Sequence, residues 1–90
     1  LHLTAVEGTN AGDTAITMNE QLMSMKNAFK YKVNASAATA VTYGMDVKNW
    51  SKWDGESEIA AAKGSHVTIV ECDRNYKAVR SGDVVSAAKE

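Results

Sequence analysis

The fold is decided by residues 64–89, which read G-S-H-V-T-I-V-E-C-D-R-N-Y-K-A-V-R-S-G-D-V-V-S-A-A-K. Apolar and β-branched residues are concentrated here in short runs, and residues with high turn propensity separate the runs. The pattern predicts a strand over Val67–Cys72, a turn over Asp73–Asn75, a strand over Tyr76–Arg80, a break at Gly82 and a last strand over Val84–Ala88. Such a succession of short strands is typical of antiparallel β-proteins.

The clearest alternation elsewhere lies in the run F-K-Y-K-V. Phe29, Tyr31 and Val33 fall on one face of the predicted strand, and Lys30 and Lys32 fall on the other. We expect the aromatic face to meet the core and the lysines to face water. Further strands are predicted over Leu1–Val6, Thr14–Met18, Val41–Met45 and Glu58–Ala61. The predicted core comprises Phe29, Tyr31, Val33, Val41, Tyr43, Val67 and Ile69.

Two segments also allow a helical interpretation. Apolar residues recur at helical spacing before Phe29, which allows a short helix over Glu20–Ala28, although a loop is the favoured interpretation. The run V-K-N-W-S-K-W over Val47–Trp53 can form one helical turn. Six or seven short strands nevertheless predict an all-β sandwich, and an α+β fold with a short helix near residues 20–28 is the alternative.

Length and composition set limits on the class of protein. The 90 residues suit a single module over 1–90, and because the chain starts at Leu1 we expect a piece of a longer protein. A net charge of −1, with 23% charged residues, lacks the basic excess that a nucleic-acid partner requires. No apolar run approaches the ~20 residues that span a bilayer, so no membrane insertion is expected.

The residues that carry chemistry are sparse. Cys72 is the single cysteine, and His66 precedes it by six positions, which places them roughly 20 Å apart along one strand. A Cys–His dyad is therefore not expected, and Cys72 is interpreted as a packing residue. The run at Asp54–Glu56 resembles part of a calcium loop but lacks the further regularly spaced carboxylates. We expect no enzyme, no catalytic residue, no cofactor and no metal.

Four segments together carry a resemblance to a known group of modules. They are G-D-T-A-I-T at 12–17, F-K-Y-K-V at 29–33, W-S-K-W-D-G at 50–55 and V-T-I-V-E-C-D-R-N-Y-K-A at 67–78. They resemble modules appended to phage structural proteins, including the ends of some capsid proteins, and repeats of Gram-positive surface-layer or cell-wall proteins. The resemblance implies an immunoglobulin-like or cadherin-like β-sandwich of about seven strands, displayed on a virion surface, outside the cell or in the cell wall.

The predicted function is accordingly structural. We expect a non-enzymatic surface-display module of a phage virion or a Gram-positive cell envelope, which mediates attachment and contacts neighbouring subunits of the particle or envelope. The aromatic side chains allow an alternative, because rings stack on sugars: a carbohydrate-binding module that uses Trp50 or Trp53. Trp50, Trp53 and Tyr76 are therefore the candidate contacts to a cell-surface glycan or a partner. A third interpretation is an oligomerisation module with an exposed stripe over Met18–Met25.

Overall fold

The computed structural model describes residues 3–18, 27–55 and 57–89, and this part of the chain is all-β. Its strands are β1 (Leu3–Glu7), β2 (Asp13–Met18), β3 (Ala28–Asn34), β4 (Ser51–Trp53), β5 (Ile59–Ala60), β6 (His66–Cys72) and β7 (Ala78–Val85). No helix long and apolar enough to cross a membrane occurs among the described residues. The predicted all-β class is confirmed.

The strands form two antiparallel sheets. One sheet has the order β1-β2-β5 and the other the order β4-β3-β6-β7. An inner core of apolar side chains joins the sheets, so the two sheets form a sandwich. Its buried members are Ile16, Phe29, Trp53, Ile59, Ala61, Val67 and Ile69.

Strand β6 is buried on both of its faces, which explains why its sequence does not alternate. Val67 and Ile69 belong to the inner core, whereas Val70 and Cys72 belong to a second cluster, the outer core, on the opposite face. Val47 and Ala78 complete the buried part of the outer core. Apolar residues on both faces are the pattern expected of a strand that is covered on both sides.

The segment over residues 35–50 covers the outer face of the larger sheet. Thr39 N donates to Thr68 Oγ1 at 3.1 Å, and Val47 N donates to Tyr76 O at 2.8 Å. Val41, Met45, Trp50 and Tyr76 pack against the outer core from this side. The crossover therefore acts as a partial third layer that shields β6 from solvent.

Several predicted strand features are wrong. Residues 41–45 form no strand, and Tyr43 is 86% exposed beside the turn at Gly44 rather than in the core. Val33 is also exposed, because it lies at the end of β3 beyond the part that pairs with β4. Gly82 does not break the last strand, since it pairs with Ile69 inside a continuous β7.

The predicted solvent-facing position of Lys30 is wrong as well. Only 4% of this residue is exposed, because the crossover covers the face of β3 from which it projects. Lys32, two residues further along, is exposed as predicted. The alternation within β3 was therefore identified correctly, but the second buried face was not.

The two contested segments have different outcomes. The segment over residues 19–26, with the methionine stripe, lies outside the described residues, while Ala28 already belongs to β3. The run starting at Val47 forms one hydrogen-bonded turn, in which Trp50 N donates to Val47 O at 3.0 Å, and then enters β4. No helical turn extends to Trp53.

The end of the described chain is fixed to the β1–β2 hairpin. Gly12 N donates to Lys89 O at 2.8 Å, and Lys89 N donates to Asp13 O at 3.1 Å. Leu3 lies at the other end of this hairpin, where it pairs with Met18. The first and last described residues therefore lie at opposite ends of the hairpin.

Candidate functional site

Two cavities contain the three aromatic candidates, and Trp53 also lines a further cavity of about 440 Å³. The first, the Trp50 groove, has a volume of about 620 Å³. The second, the Tyr76 pocket, has a volume of about 370 Å³ and also includes Trp53. The groove is lined by Tyr31, Lys32, Val33, Asp46, Asn49, Trp50 and Ser51. The pocket is lined by Ala28, Phe29, Lys30, Lys52, Trp53, Asp73, Arg74 and Tyr76.

The Trp50 groove contains a half-buried indole at the turn that precedes β4. Trp50 packs against the outer core, and Lys32 Nζ lies 5.8 Å from the centre of its ring. Asp46 accepts a hydrogen bond from Lys48 N at 2.9 Å, and this bond lowers the pKa of the Asp46 carboxyl. Asp46 also forms an exposed ion pair with Lys77 at 3.5 Å. The groove therefore combines two aromatic side chains, Tyr31 and Trp50, with polar groups that are accessible to solvent.

The Tyr76 pocket lies beside the β6–β7 hairpin. Asp73 Oδ1 accepts hydrogen bonds from Asn75 N at 2.9 Å and Lys77 N at 3.1 Å, which fixes the predicted turn. Tyr76 follows with φ of 63°, a left-handed conformation that is unusual for a bulky residue. Trp53 also lines the pocket, but it is only 6% exposed and its Nε1 donates to Ser57 O at 2.8 Å. Trp53 is therefore chiefly a core residue.

Buried Lys30 connects the pocket to the crossover. Its Nζ donates to Lys48 O at 3.1 Å and to Trp50 O at 3.3 Å. The same nitrogen lies 4.8 Å from the centre of the Tyr76 ring. A buried ammonium needs such partners because an isolated charge is costly to remove from water. Lys30 thus holds the turn before β4 against the sheet.

Substitution of Lys30 with methionine is expected to lower the free energy of unfolding by about 1–3 kcal/mol. Methionine retains most of the apolar stem but leaves two carbonyl groups under the crossover without their donor. Urea unfolding followed by circular dichroism measures the change. The matched control is Lys32→Met in the same strand, which is exposed and should change stability by less than about 0.5 kcal/mol. Equal effects of the two substitutions would contradict the assigned role.

Cys72 and His66 lie apart, as the sequence predicted. Cys72 is fully buried in the outer core, and burial raises the pKa of its thiol. His66, at the other end of β6, is partly exposed, and its Nδ1 lies 3.3 Å from Asp83 Oδ2. Thr68 Oγ1 contacts the same carboxylate at 3.4 Å. Within the described ranges no general base lies beside the thiol, so this arrangement does not activate a nucleophile.

Cys72 is expected to resist thiol reagents in the folded protein. A buried thiol with a raised pKa supplies little thiolate, which is the reactive form. Ellman's reagent at pH 8 should react slowly in buffer and completely within minutes in about 6 M guanidinium chloride. Rapid and complete reaction of the native protein would show that the outer core opens readily.

A buried ion pair is a feature that sequence patterns did not identify. Glu71 is fully buried on the inner face of β6, and Arg80 Nε on β7 donates to its Oε1 at 2.6 Å. Asn27 Nδ2 donates to Glu71 Oε2 at 2.7 Å. The only signal in the sequence was a carboxylate within an apolar run. Lys30 projects from the opposite face of the same sheet, so the buried charges of Lys30 and Glu71 lie on different sides of it.

The acidic residues do not converge on a metal site in the part of the chain that the structure describes. Asp54 forms hydrogen bonds within its own loop. Its Oδ1 accepts a hydrogen bond from Ser57 N at 2.6 Å, and its Oδ2 accepts one from Ser57 Oγ at 2.5 Å. Glu58 accepts hydrogen bonds from the hydroxyl and backbone N of Thr9, and these bonds lower the pKa of its carboxyl. These carboxylates therefore stabilise loops.

The fold and these sites define a class of protein: a small β-sandwich whose described polar groups mainly stabilise turns and cores or line open cavities. Residues 6–84 match the model of the S-layer protein SbsC C-terminal domain family. Because the match spans most of the chain, the domain belongs to this family. The resemblance to surface-layer repeats is confirmed. The match does not support a specifically immunoglobulin-like topology or a relationship to phage proteins.

The fold also occurs in a solved structure. The chain is similar to the structure of surface layer protein SbsC, domains 4–9, with a TM-score of 0.71 and 19% sequence identity. The similarity covers 99% of this chain but only 16% of that chain. No curated protein matches the sequence. At this identity the structural similarity shows the fold alone.

Proposed function

We propose that the domain is a non-enzymatic structural module of a cell-surface layer, where it contacts neighbouring subunits and the cell envelope. The observation that carries the proposal is the family match over residues 6–84. It favours a cell envelope over a phage virion as the location. The absence of a nucleophile and base in contact among the described residues agrees with a structural role.

The positions of the first and last described residues suit a row of domains. Leu3 and Lys89 lie at opposite ends of the β1–β2 hairpin, and hydrogen bonds to Gly12 and Asp13 fix Lys89. A polypeptide that continued in both directions would pass from one end of this hairpin to the other. The similar structure contains domains 4–9 of surface layer protein SbsC, and this chain matches 16% of its length. We therefore infer that the module is one unit of an extended series.

The test uses the full-length parent protein. A membrane-impermeant biotin reagent applied to intact cells should label the parent protein. Electron microscopy of the purified protein should show ordered layers. A version without residues 3–89 should lose the order of the layer while its remaining domains stay folded. Labelling only after cell lysis, or an unchanged lattice without the module, would contradict the proposal.

A second candidate function is contact with a cell-surface glycan at the Trp50 groove. It is favoured by a half-buried indole beside exposed polar side chains in a cavity of about 620 Å³. Titration of the domain with cell-wall polysaccharide should change tryptophan emission, and Trp50→Ala should abolish the change. If acrylamide quenched the fluorescence of neither tryptophan, this candidate would be ruled out.

A further inference from the structure

The Tyr76 pocket has a floor and a rim of different chemistry. The floor is formed by Phe29 and Trp53, whose rings lie 5.8 Å apart with an interplanar angle of 57°. Both side chains are almost fully buried, so only a small apolar part of each ring is accessible to a ligand. Lys52 and Arg74 line the pocket from β4 and from the β6–β7 turn. Such a combination is suited to a ligand that is apolar on one side and anionic on the other.

The two rim cations are available to a ligand. Lys52 and Arg74 are exposed, and neither forms an ion pair with the residues that the structure describes. The third cation, Lys30, instead donates to two carbonyl groups. One oxygen of Asp73, the single carboxylate that lines the pocket, accepts two backbone N–H bonds of the turn. The pocket therefore has an excess of positive charge.

Tyr76 adds a second, independent observation. Its φ of 63° is a conformation that glycine or asparagine adopts with less strain. Strained residues of this kind cluster at binding sites, where the surrounding structure holds a side chain in place. Here the strained backbone places the tyrosine ring over Lys30 and at the wall of the pocket.

We propose that the Tyr76 pocket binds an acidic peptide segment of a neighbouring subunit. A carboxylate of that segment lies between Lys52 and Arg74, and an adjacent apolar side chain packs on Phe29 and Trp53. A sugar fits less well, because stacking needs an open aromatic face, and one face of Tyr76 is turned toward Lys30. The partner assignment rests on the proposed role in a surface layer, whereas binding of the acidic segment can be measured on this chain alone.

The test measures peptide binding to the 90-residue chain in a Trp50→Phe background, so that Trp53 is the remaining indole. The probes are the acetylated and amidated tetrapeptide LELE and its neutral counterpart LQLQ. We expect LELE to change Trp53 emission saturably and LQLQ to bind at least about fivefold more weakly, since two exposed ion pairs are lost. The double variant Lys52→Gln/Arg74→Gln should weaken LELE binding by a similar factor.

The matched control is Lys89→Gln, which removes an exposed lysine near the hairpin end of the smaller sheet and should leave LELE binding within about twofold. Equal binding of the two peptides, no binding of LELE, or unchanged LELE binding by the double variant would overturn the proposal. Tighter binding of polygalacturonate than of LELE would overturn it in favour of a sugar. None of these outcomes changes the lattice experiment, so the two proposals fail separately.

Discussion

Substitution of Ile69 with alanine is expected to lower the free energy of unfolding by about 3 kcal/mol. Ile69 is fully buried at the centre of β6, between β3 and β7, and its side chain contributes to the inner core. The loss combines the transfer energy of the removed groups with a cavity that the two sheets cannot close. Urea unfolding followed by circular dichroism gives the change as a shift in the transition midpoint.

The control for this prediction is Val85→Ala. Val85 lies on β7 but is 49% exposed, so its truncation should cost less than about 0.5 kcal/mol. A domain of this size has a total stability of about 5–10 kcal/mol, which makes a loss of 3 kcal/mol easy to measure. A loss below about 1 kcal/mol at Ile69 would mean that the sheets do not pack as closely as the structure indicates.

The sequence predicted most of the sheet framework because local patterns determined it. The alternation around Phe29 and the apolar run of β6 both correspond to strands, and the turn after Cys72 lies where Asp73 and Asn75 place it. β5, with only two residues, was also predicted. These features depend on side chains close together in the sequence, so a single chain suffices to identify them.

The crossover layer could not be predicted in the same way. The burial of Lys30 depends on Val47 and Trp50, which lie about twenty residues away and cover a face that alternation alone assigns to water. The β6 run itself contained the missing signal, because a strand with apolar residues on both faces requires cover on both sides. Gly82 was misjudged for a related reason, since its pairing with Ile69 continues the strand despite the weak local propensity.

The candidate site was predicted in part. Sequence reasoning selected Trp50, Trp53 and Tyr76 by residue type, but it could not assign them to cavities. The structure brings Trp53 and Tyr76 to one pocket and Trp50 to another groove. Lys52 and Arg74, the cations that give the pocket its charge, were not identified, because exposed lysines and arginines look alike in a sequence. Their significance depends on the apolar floor that the fold places beneath them.

The second large effect is expected at the buried ion pair. Substitution of Glu71 with alanine should lower the free energy of unfolding by about 3–5 kcal/mol. The carboxylate accepts hydrogen bonds from Arg80 at 2.6 Å and from Asn27 at 2.7 Å, and it is fully buried. Its removal takes away the carboxylate to which the partly buried Arg80 Nε and the Asn27 amide donate, and it also creates a cavity beside Phe29, which is paired with Glu71 across the sheet.

A double variant separates the ion pair from simple packing. Glu71→Met with Arg80→Met removes both charges and retains much of the side-chain volume, so it should recover most of the stability lost in Glu71→Ala. Arg80→Met alone should be destabilising, because the carboxylate then stays buried without its cation. The control is Glu7→Ala, an exposed carboxylate on β1 that should have little effect. If the double variant were as unstable as Glu71→Ala, the hydrogen bonds that the pair makes, rather than lost volume or a single buried charge, would account for the destabilisation.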